Sequence, residues 1–218
     1  MSCADSSPEV AGTGTGLVGV ILAAGAGNRL GYPKAALHLG QRFILPMLVT
    51  ALRQGGASKV LVVLSTPAEQ SISGLPALGC DEVVINPTPE SGRTGSVHCA
   101  LSTIPQDCPG LLIHPCDVPL LSHQVVEELI KAWRNCESPT QTVVRPITPA
   151  GNGGHPLLIP CGRFAHLAAM GPDQALRELL IPRENRLDVT IRGDPGPFLG
   201  VNTPDQLELL ESFISKSK

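Results

Sequence analysis

The sequence predicts an α/β fold: a three-layer sandwich in which a mostly parallel central sheet lies between helices on both faces. Three observations carry that prediction. Apolar runs of strand length alternate with helical patterns from Val18 to Trp133. VGVILAAG, ILPMLVTALRQGG and KVLVVLS together form one β-α-β unit, whose strands must run parallel. Beyond Ser138 the alternation breaks, so any antiparallel component belongs to the second half of the chain.

The elements follow in order. VGVILAAG is a buried strand. In the helix after it, Pro46 is tolerated only in the first turn, which sets the start near Ile44; Gly55 or Gly56 marks its stop. After KVLVVLS comes a weak helix near Ala68 to Leu75, then the short strand EVVI and a helix from about Thr94 to Ile104. The strand GLLIHP and the helix VVEELIKAW, capped by Ser122, complete the alternating part. TVVRP and HPLLIP have no full helix between them, so an antiparallel pair or an insertion is expected there. Helices return near Pro160 and Asp173. The strand DVTIR, a short strand FLGVN ending at Asn202, and a helix with Thr203 as N-cap and Pro204 at its first position close the chain.

Residues 1 to 16 read as a flexible extension and 17 to 218 as one domain without internal repeat. An apolar fraction of 42% and a mean hydropathy of +0.15 are enough for a sizeable core. A net charge of −3 with 3% aromatic residues argues against a basic, base-stacking nucleic-acid surface, so a nucleotide bound here is expected to be a small molecule. The seven cysteines are odd in number and lack C-x-x-C spacing, which argues against a disulfide framework or a zinc site and suits a reducing cytoplasm. No apolar run approaches the ~20 residues of a membrane span, and the N-terminal stretch lacks signal-peptide features.

LAAGAGNRLGYPK, Leu22 to Lys34, is the most informative stretch. A dinucleotide fingerprint fails by one residue, because Leu30 stands where the third glycine belongs; the P-loop spacing fails at the same place. What survives is physical. Small residues at Ala23, Ala24, Gly25, Ala26 and Gly27 let a ligand approach several backbone N–H groups, while Arg29 and Lys34 bring a planar fork and a point charge to the same loop. A plain glycine-rich turn with two solvated cations is the competing reading, and this stretch alone does not separate the two.

Ligands of open parallel sheets collect outside the C-terminal ends of strands, so strand-ending residues are the candidates. Asp117 follows GLLIHP; a carboxylate there beside a polyphosphate loop is what a magnesium site needs, a turn aspartate being the alternative. Asn202 offers an amide oxygen as a second ligand, or is an ordinary residue at a helix N-terminus. After Asn86, the stretch ESGRTGSVHCAL offers the Thr94 and Ser96 hydroxyls at a helix start, where a simple cap would also suffice. His98 and His114 read as structural, and Cys116 as a small buried side chain without a redox role.

In order, LAAGAGNRLGYPK, NPTPESGRTGSVHCAL, HPCDVPLLS, GGHPLLIP and GVNTPDQL resemble the nucleotidyltransferases that include molybdenum cofactor cytidylyltransferases and guanylyltransferases and, more distantly, sugar-phosphate nucleotidylyltransferases. The resemblance runs from about Val18 to the end and implies a Rossmann-like nucleotidyltransferase fold. Gly154-His155-Pro156, the segment Asp173 to Leu180 and the LAAG form of the loop look most like the cytidylyl branch, where the guanylyl branch has LAGG. Two positions depart from it: Asn202 stands where that branch carries aspartate, as in guanylyltransferases, and Ala175 replaces a glycine.

By that resemblance, a phosphate oxygen of the acceptor would attack the α-phosphorus of a nucleoside triphosphate and release pyrophosphate. Leu22 to Gly27 would cradle the nucleotide, main-chain groups near Ala23 and Ala24 would read the base, and Asn86 would lie beside it. Thr94, Gly95 and Ser96 would contact base and ribose. Arg29 would neutralise the leaving pyrophosphate and Lys34 the charge developing at the α- and β-phosphates. Asp117 and Asn202 would hold Mg²⁺ or Mn²⁺, and His155 would contact the acceptor. CTP as donor and molybdopterin as acceptor are implied, with a molybdoenzyme or its chaperone as a further partner. A sugar-phosphate or guanylyl transfer and a non-enzymatic nucleotide-binding module are the rivals.

Overall fold

A computed structural model describes residues 15–171, 174–180 and 183–216. The extension proposed for residues 1–16 lies outside them except for its last two residues. There the Thr15 hydroxyl donates to the Gly56 carbonyl at 2.6 Å and the Gly16 N–H donates to Ser58 at 2.9 Å.

The first strand, β1 (Val18–Leu22), leads through the glycine loop to a two-residue hairpin, β2 (His38–Leu39) and β3 (Arg42–Phe43). Helix α1 (Ile44–Gln54) begins where Pro46 requires and buries Ile44, Leu45, Leu48, Val49 and Leu52 along one stripe. Full burial of a leucine such as Leu48 or Leu52 contributes about 1.5–3 kcal/mol. Gly55 caps this helix where α1 packs on the next long helix: a Cβ there would collide with Val126.

Strand β4 (Lys59–Leu64) is followed by α2 (Thr66–Ser71), which starts before Ala68 and stops short of Leu75. The cause is Ser65, whose hydroxyl accepts the Ala68 N–H and fixes the first turn one residue ahead of Pro67. After β5 (Glu82–Ile85), helix α3 (Gly92–Leu101) likewise starts two residues ahead of Thr94 and ends before Ile104. Strand β6 (Gly110–Pro115) then leads to α4 (His123–Arg134), amphipathic through Val125, Val126, Leu129, Ile130 and Trp133 and capped by Ser122.

The second half supplies β7 (Val143–Ile147), β8 (Leu157–Pro160), the short α5 (Phe164–Ala169), β9 (Arg186–Thr190) and α6 (Pro204–Lys216). TVVRP and HPLLIP are the antiparallel pair, joined through Val144 and Leu158. FLGVN is not a strand: Gly196–Phe198 turns as a 3₁₀ helix and Val201 donates to the Asp117 carbonyl at 2.7 Å instead of to a ladder. Near Asp173, itself outside the described residues, a 3₁₀ helix (Leu176–Leu180) replaces the expected helix.

The seven strands order as β5-β4-β1-β6-β8-β7-β9, with β8 antiparallel to both its neighbours and every other pair parallel. Side-chain alternation divides the core. Ile21, Val60, Val62, Leu112 and Leu158 face α1 and α4, whereas Val20, Leu22, Val63, Ile113 and Leu157 face α3 and α5. This is the three-layer sandwich. No helix among the described residues is long and apolar enough to cross a membrane.

Candidate active site

Strand order fixes where a ligand can enter. From β1 the chain builds outward to β4 and β5, then returns to lay β6 on the other side of β1. The C-terminal ends of β1 and β6 therefore flank a topological switch point, where the following loops must part and leave a crevice. Backbone bonds hold the end of β1 to both of its neighbours: the Ala23 N–H donates to Val63 of β4 at 2.8 Å, and the Cys116 N–H, just past β6, donates to Leu22 at 3.0 Å. The Leu22 carbonyl and the Ala23 N–H, expected among the groups that meet the nucleotide, are thus used by the sheet. Open loop backbone begins beyond them.

The glycine loop folds back on itself. The Gly27 carbonyl accepts from Leu30 at 2.7 Å and Gly31 at 3.1 Å, and Lys34 N–H reaches the Gly25 carbonyl at 3.4 Å. Gly27 has φ +67°, and a Cβ there would collide with the Tyr32 carbonyl, so only glycine closes the loop this way. Closure returns Lys34 to the end of β1.

There the Lys34 ammonium donates to Asp117 Oδ2 at 2.5 Å and to Asn202 Oδ1 at 2.6 Å. Asn202 arrives through the Val201–Asp117 backbone bond, and Gln206 Oε1 holds its N–H at 2.7 Å. Asp117 is 4% exposed, and its Oδ1 is buried with no hydrogen-bond partner among the described residues. Arg93 completes the ring of charge: its Nη2 stands 3.3 Å from Asp117 Oδ2.

Three connected spaces surround this point. A groove of about 290 Å³ runs along Gly25 to Arg29 with Lys34 and Asn202. A chamber of about 140 Å³ lies between Ala24, Pro89, Ser96 and Asp117. A cleft of about 500 Å³ opens beyond Leu22, Arg93 and Pro115, which it shares with the chamber. Arg29 is exposed on the groove with no partner among the described residues.

The remaining candidates divide. Ser96 lines the chamber, donates to the Gly92 carbonyl at 3.1 Å and accepts from Asn86 at 3.0 Å. Asn86 is fully buried, holding Ser96 and the Thr88 N–H, and presents no surface to a ligand. Thr94 lines the large cleft rather than the chamber, and its hydroxyl is committed to the Gln174 carbonyl at 2.6 Å. Gly95 lines none of the three spaces; a Cβ there would collide with Ser91. Its expected contact with base and ribose has no counterpart in this geometry.

His155 reaches the large cleft, because its N–H bonds the Pro197 carbonyl at 3.0 Å and Gly154 leaves room for the Phe198 ring. Its ring meets that of the fully buried His114 edge-on, centroids 6.3 Å apart. Burial pushes the His114 imidazole down to about 4 and that of His155 to about 3, the latter helped by His114 and Arg93. Both rings are therefore neutral at pH 7. The buried Cys116 thiol is pushed up to about 12 by burial and by Asp117, and stays protonated. His98 ties α3 to α5 through the Leu167 carbonyl at 2.9 Å.

The sequence reading missed Arg93, Arg145 and Arg177, all of which line the large cleft. Arg93 carried a signal: a cation inside GRTGS, in the first turn of the helix that follows a strand end. Arg145 and Arg177 carried none that separates them from solvated arginines.

The strand-order reversal and the cations gathered at it define the class, an α/β protein with a cationic crevice at its switch point. The chain belongs to the family of the MobA-like NTP transferase domain, whose model matches residues 19–188. A probable molybdenum cofactor guanylyltransferase of Rhodopirellula baltica is 34% identical over 130 residues; the match covers 59% of this chain and only 60% of that relative's length. The nicotine blue oxidoreductase of Paenarthrobacter nicotinovorans is 28% identical across 88% of this chain and 94% of its own. A molybdenum cofactor guanylyltransferase of Rhizobium meliloti is 29% identical across 89% and 90%. Among solved structures, the Mycobacterium sp. strain JC1 homologue of Mycobacterium tuberculosis Rv0371c superimposes with a TM-score of 0.77 at 25% identity, covering 93% of this chain and 98% of that one. Rv0371c itself has been crystallised with manganese; it superimposes with a TM-score of 0.70 at 22% identity, covering 90% and 98% of the two chains.

Proposed function

We propose that the protein transfers CMP from CTP to the phosphate of a small-molecule acceptor, molybdopterin or its molybdenum-loaded form, and releases pyrophosphate. The observation that carries this reading is the meeting of Lys34, Asp117 and Asn202 between the glycine groove and the large cleft. A triphosphate laid along the groove brings its α-phosphorus to Lys34, with an acceptor phosphate approaching from the cleft.

The reaction forms a bond from an acceptor phosphate oxygen to the α-phosphorus and breaks the bond from that phosphorus to the bridging oxygen of pyrophosphate. It asks for positioning and charge neutralisation rather than proton transfer, because a phosphate monoester is largely ionised at neutral pH. Lys34 meets the charge that grows at the α-phosphate, Arg29 the departing pyrophosphate, and Arg93 the attacking phosphate at the mouth of the cleft. Gly25 to Gly27 supply backbone N–H groups along the groove. Ser96 edges the chamber that receives base and ribose, and Asn86 acts by orienting it.

Asp117 and Asn202 fit a hard divalent cation. Among the described residues Asp117 Oδ1 is buried without a partner, Asn202 Oδ1 accepts from the same Lys34 ammonium that donates to Asp117 Oδ2, and no group of three or more acidic, histidine or cysteine residues competes. Mg²⁺ or Mn²⁺ typically takes one or two protein oxygens and completes its shell with phosphates and water. When bound, such an ion supplies further charge neutralisation to the phosphates.

The cytidylyl choice rests on Ala24, which lines the small chamber. Asn202 and the two relatives named guanylyltransferases favour GTP as the second reading. The six described cysteines are free thiols, in keeping with the reducing cytoplasm. Pyrophosphate release, measured with each triphosphate against molybdopterin, its molybdenum-loaded form and a panel of sugar phosphates, tests the proposal. Release that requires both CTP and a molybdopterin is the expected result. Release only with a sugar phosphate changes the acceptor class, and nucleotide binding without any release makes the protein a binding module.

A further inference from the structure

Arg145 lies in the large cleft in a manner no phosphate-transfer step explains. On β7 it follows Val143 by two residues, so the two share a sheet face with Leu22, Ile113 and Leu157, the apolar floor of the cleft. It faces Asp188 directly across the β7–β9 ladder. Its Nε donates to Asp188 Oδ1 at 2.7 Å and its Nη2 to Oδ2 at 3.4 Å, a side-on fork. Arg186 holds the same carboxylate at 2.9 Å. Burial alone would raise the Asp188 carboxyl, but the Arg145 fork and the Arg186 charge outweigh it and hold the group below its ordinary value.

The outer edge of the guanidinium is left for a ligand. Among the described residues Arg145 Nη1 has no hydrogen-bond partner, and it packs over Gly153, where a Cβ would collide with it. Arg177 stands exposed on the same cleft, and among the described residues no aspartate or glutamate lines it. One attacking phosphate is already met by Arg93 at the boundary with the chamber. Two further guanidinium groups, one of them fixed by Asp188 with its outer edge turned to the cleft, call for a second anion.

We infer that the cleft selects acceptors bearing a second anionic group, remote from the attacking phosphate, which Arg145 receives and Asp188 orients. The inference rests on the transfer reading and narrows its acceptor class: phosphorylated molecules with a single charged end are poor ligands. Arg145 is a specificity residue, and Asp188 a positioning residue that acts through it. A planar fork fixed on one edge loses little freedom when the other edge binds, so orientation as well as charge is selected.

The test uses the full chain saturated with Mg²⁺ and a non-hydrolysable CTP analogue, titrated calorimetrically with fructose 1,6-bisphosphate and with fructose 6-phosphate. The bisphosphate is expected to bind about tenfold more tightly than the monophosphate, the scale of one additional charge-assisted fork. Arg145→Gln should reduce that preference to below about threefold, and Asp188→Asn should reduce it partly, with affinity for the CTP analogue held within about twofold. Arg177→Gln, at an exposed site, is a second probe should Arg145→Gln fold poorly. Equal binding of the two sugars by the unmodified protein, or an undiminished preference in folded Arg145→Gln and Arg177→Gln, overturns the inference. Absence of pyrophosphate release with the bisphosphate preference intact overturns the transfer reading instead.

Discussion

Lys34 and Asp117, 83 residues apart in sequence, meet in a 2.5 Å ion pair at the switch point between β1 and β6. Neither residue is brought there by its own element. Lys34 returns to β1 because the loop closes on Gly27, and Asp117 emerges because Cys116 still pairs with Leu22. The pair is therefore a product of topology, and it makes the switch point a charged site before any ligand arrives.

Asp117→Ala should lower turnover by about 10²- to 10³-fold, the effect of removing one strong electrostatic stabiliser from a preorganised site. Asn202→Ala should cost less, since a neutral amide contributes less to holding a cation. Steady-state pyrophosphate release, with circular dichroism as a check on folding, measures both. Near-wild-type turnover in folded Asp117→Ala rejects the site.

The two cations should separate kinetically. Lys34 lies where charge grows in the transition state, so Lys34→Ala should act mainly on kcat. Arg29, exposed along the groove, should affect both kcat and CTP affinity. A Lys34→Ala variant changed only in KM would mean that this ammonium binds ground and transition states alike.

Much of this was legible in the sequence because it depends on local pattern. Strand-length apolar runs, the Pro46 helix start, the Ser122 and Thr203 caps and the antiparallel turn after Ser138 all express short-range preferences, and each recurs in the structure. What the sequence hid depends on contact between distant elements. Asn86 reads as a strand-end ligand until Ser96 is seen to cover it. FLGVN reads as a strand until Val201 is seen to spend its N–H on Asp117. Arg145 reads as a surface cation until its register partner is known to be Asp188.

Stability should fall on acidification. His114 is fully buried, with its pKa lowered to about 4 from the ordinary 6.5, so the unfolded chain binds a proton that the folded chain refuses. That contribution is complete above pH 6.5 and is lost as pH falls from there toward 4. Between pH 7.5 and pH 5 the loss is about 2 kcal/mol by linkage, with His155 acting in the same direction. Urea unfolding at the two pH values checks the slope, and His114→Gln should flatten it. A protein equally stable at both has its buried imidazole partnered in some other way.

Base choice is the sharpest test of the proposed function. Ala24 is 5% exposed and lines a chamber of only about 140 Å³, which should exclude a purine more than a pyrimidine. Steric selection in a packed pocket is worth about 1–3 kcal/mol, or about 10- to 200-fold in kcat/KM, in favour of CTP over GTP. Ala24→Gly enlarges the chamber without disturbing the sheet, since the last strand hydrogen bond from this segment is made by Ala23. It should narrow the preference while leaving turnover measurable. Full inversion would also need changes at Pro89 and Ser96, which bound the same chamber. Competition kinetics with equal CTP and GTP decide the matter: a clear GTP preference in the unmodified protein removes the cytidylyl assignment and makes Asn202, rather than Ala24, the residue that marks the branch.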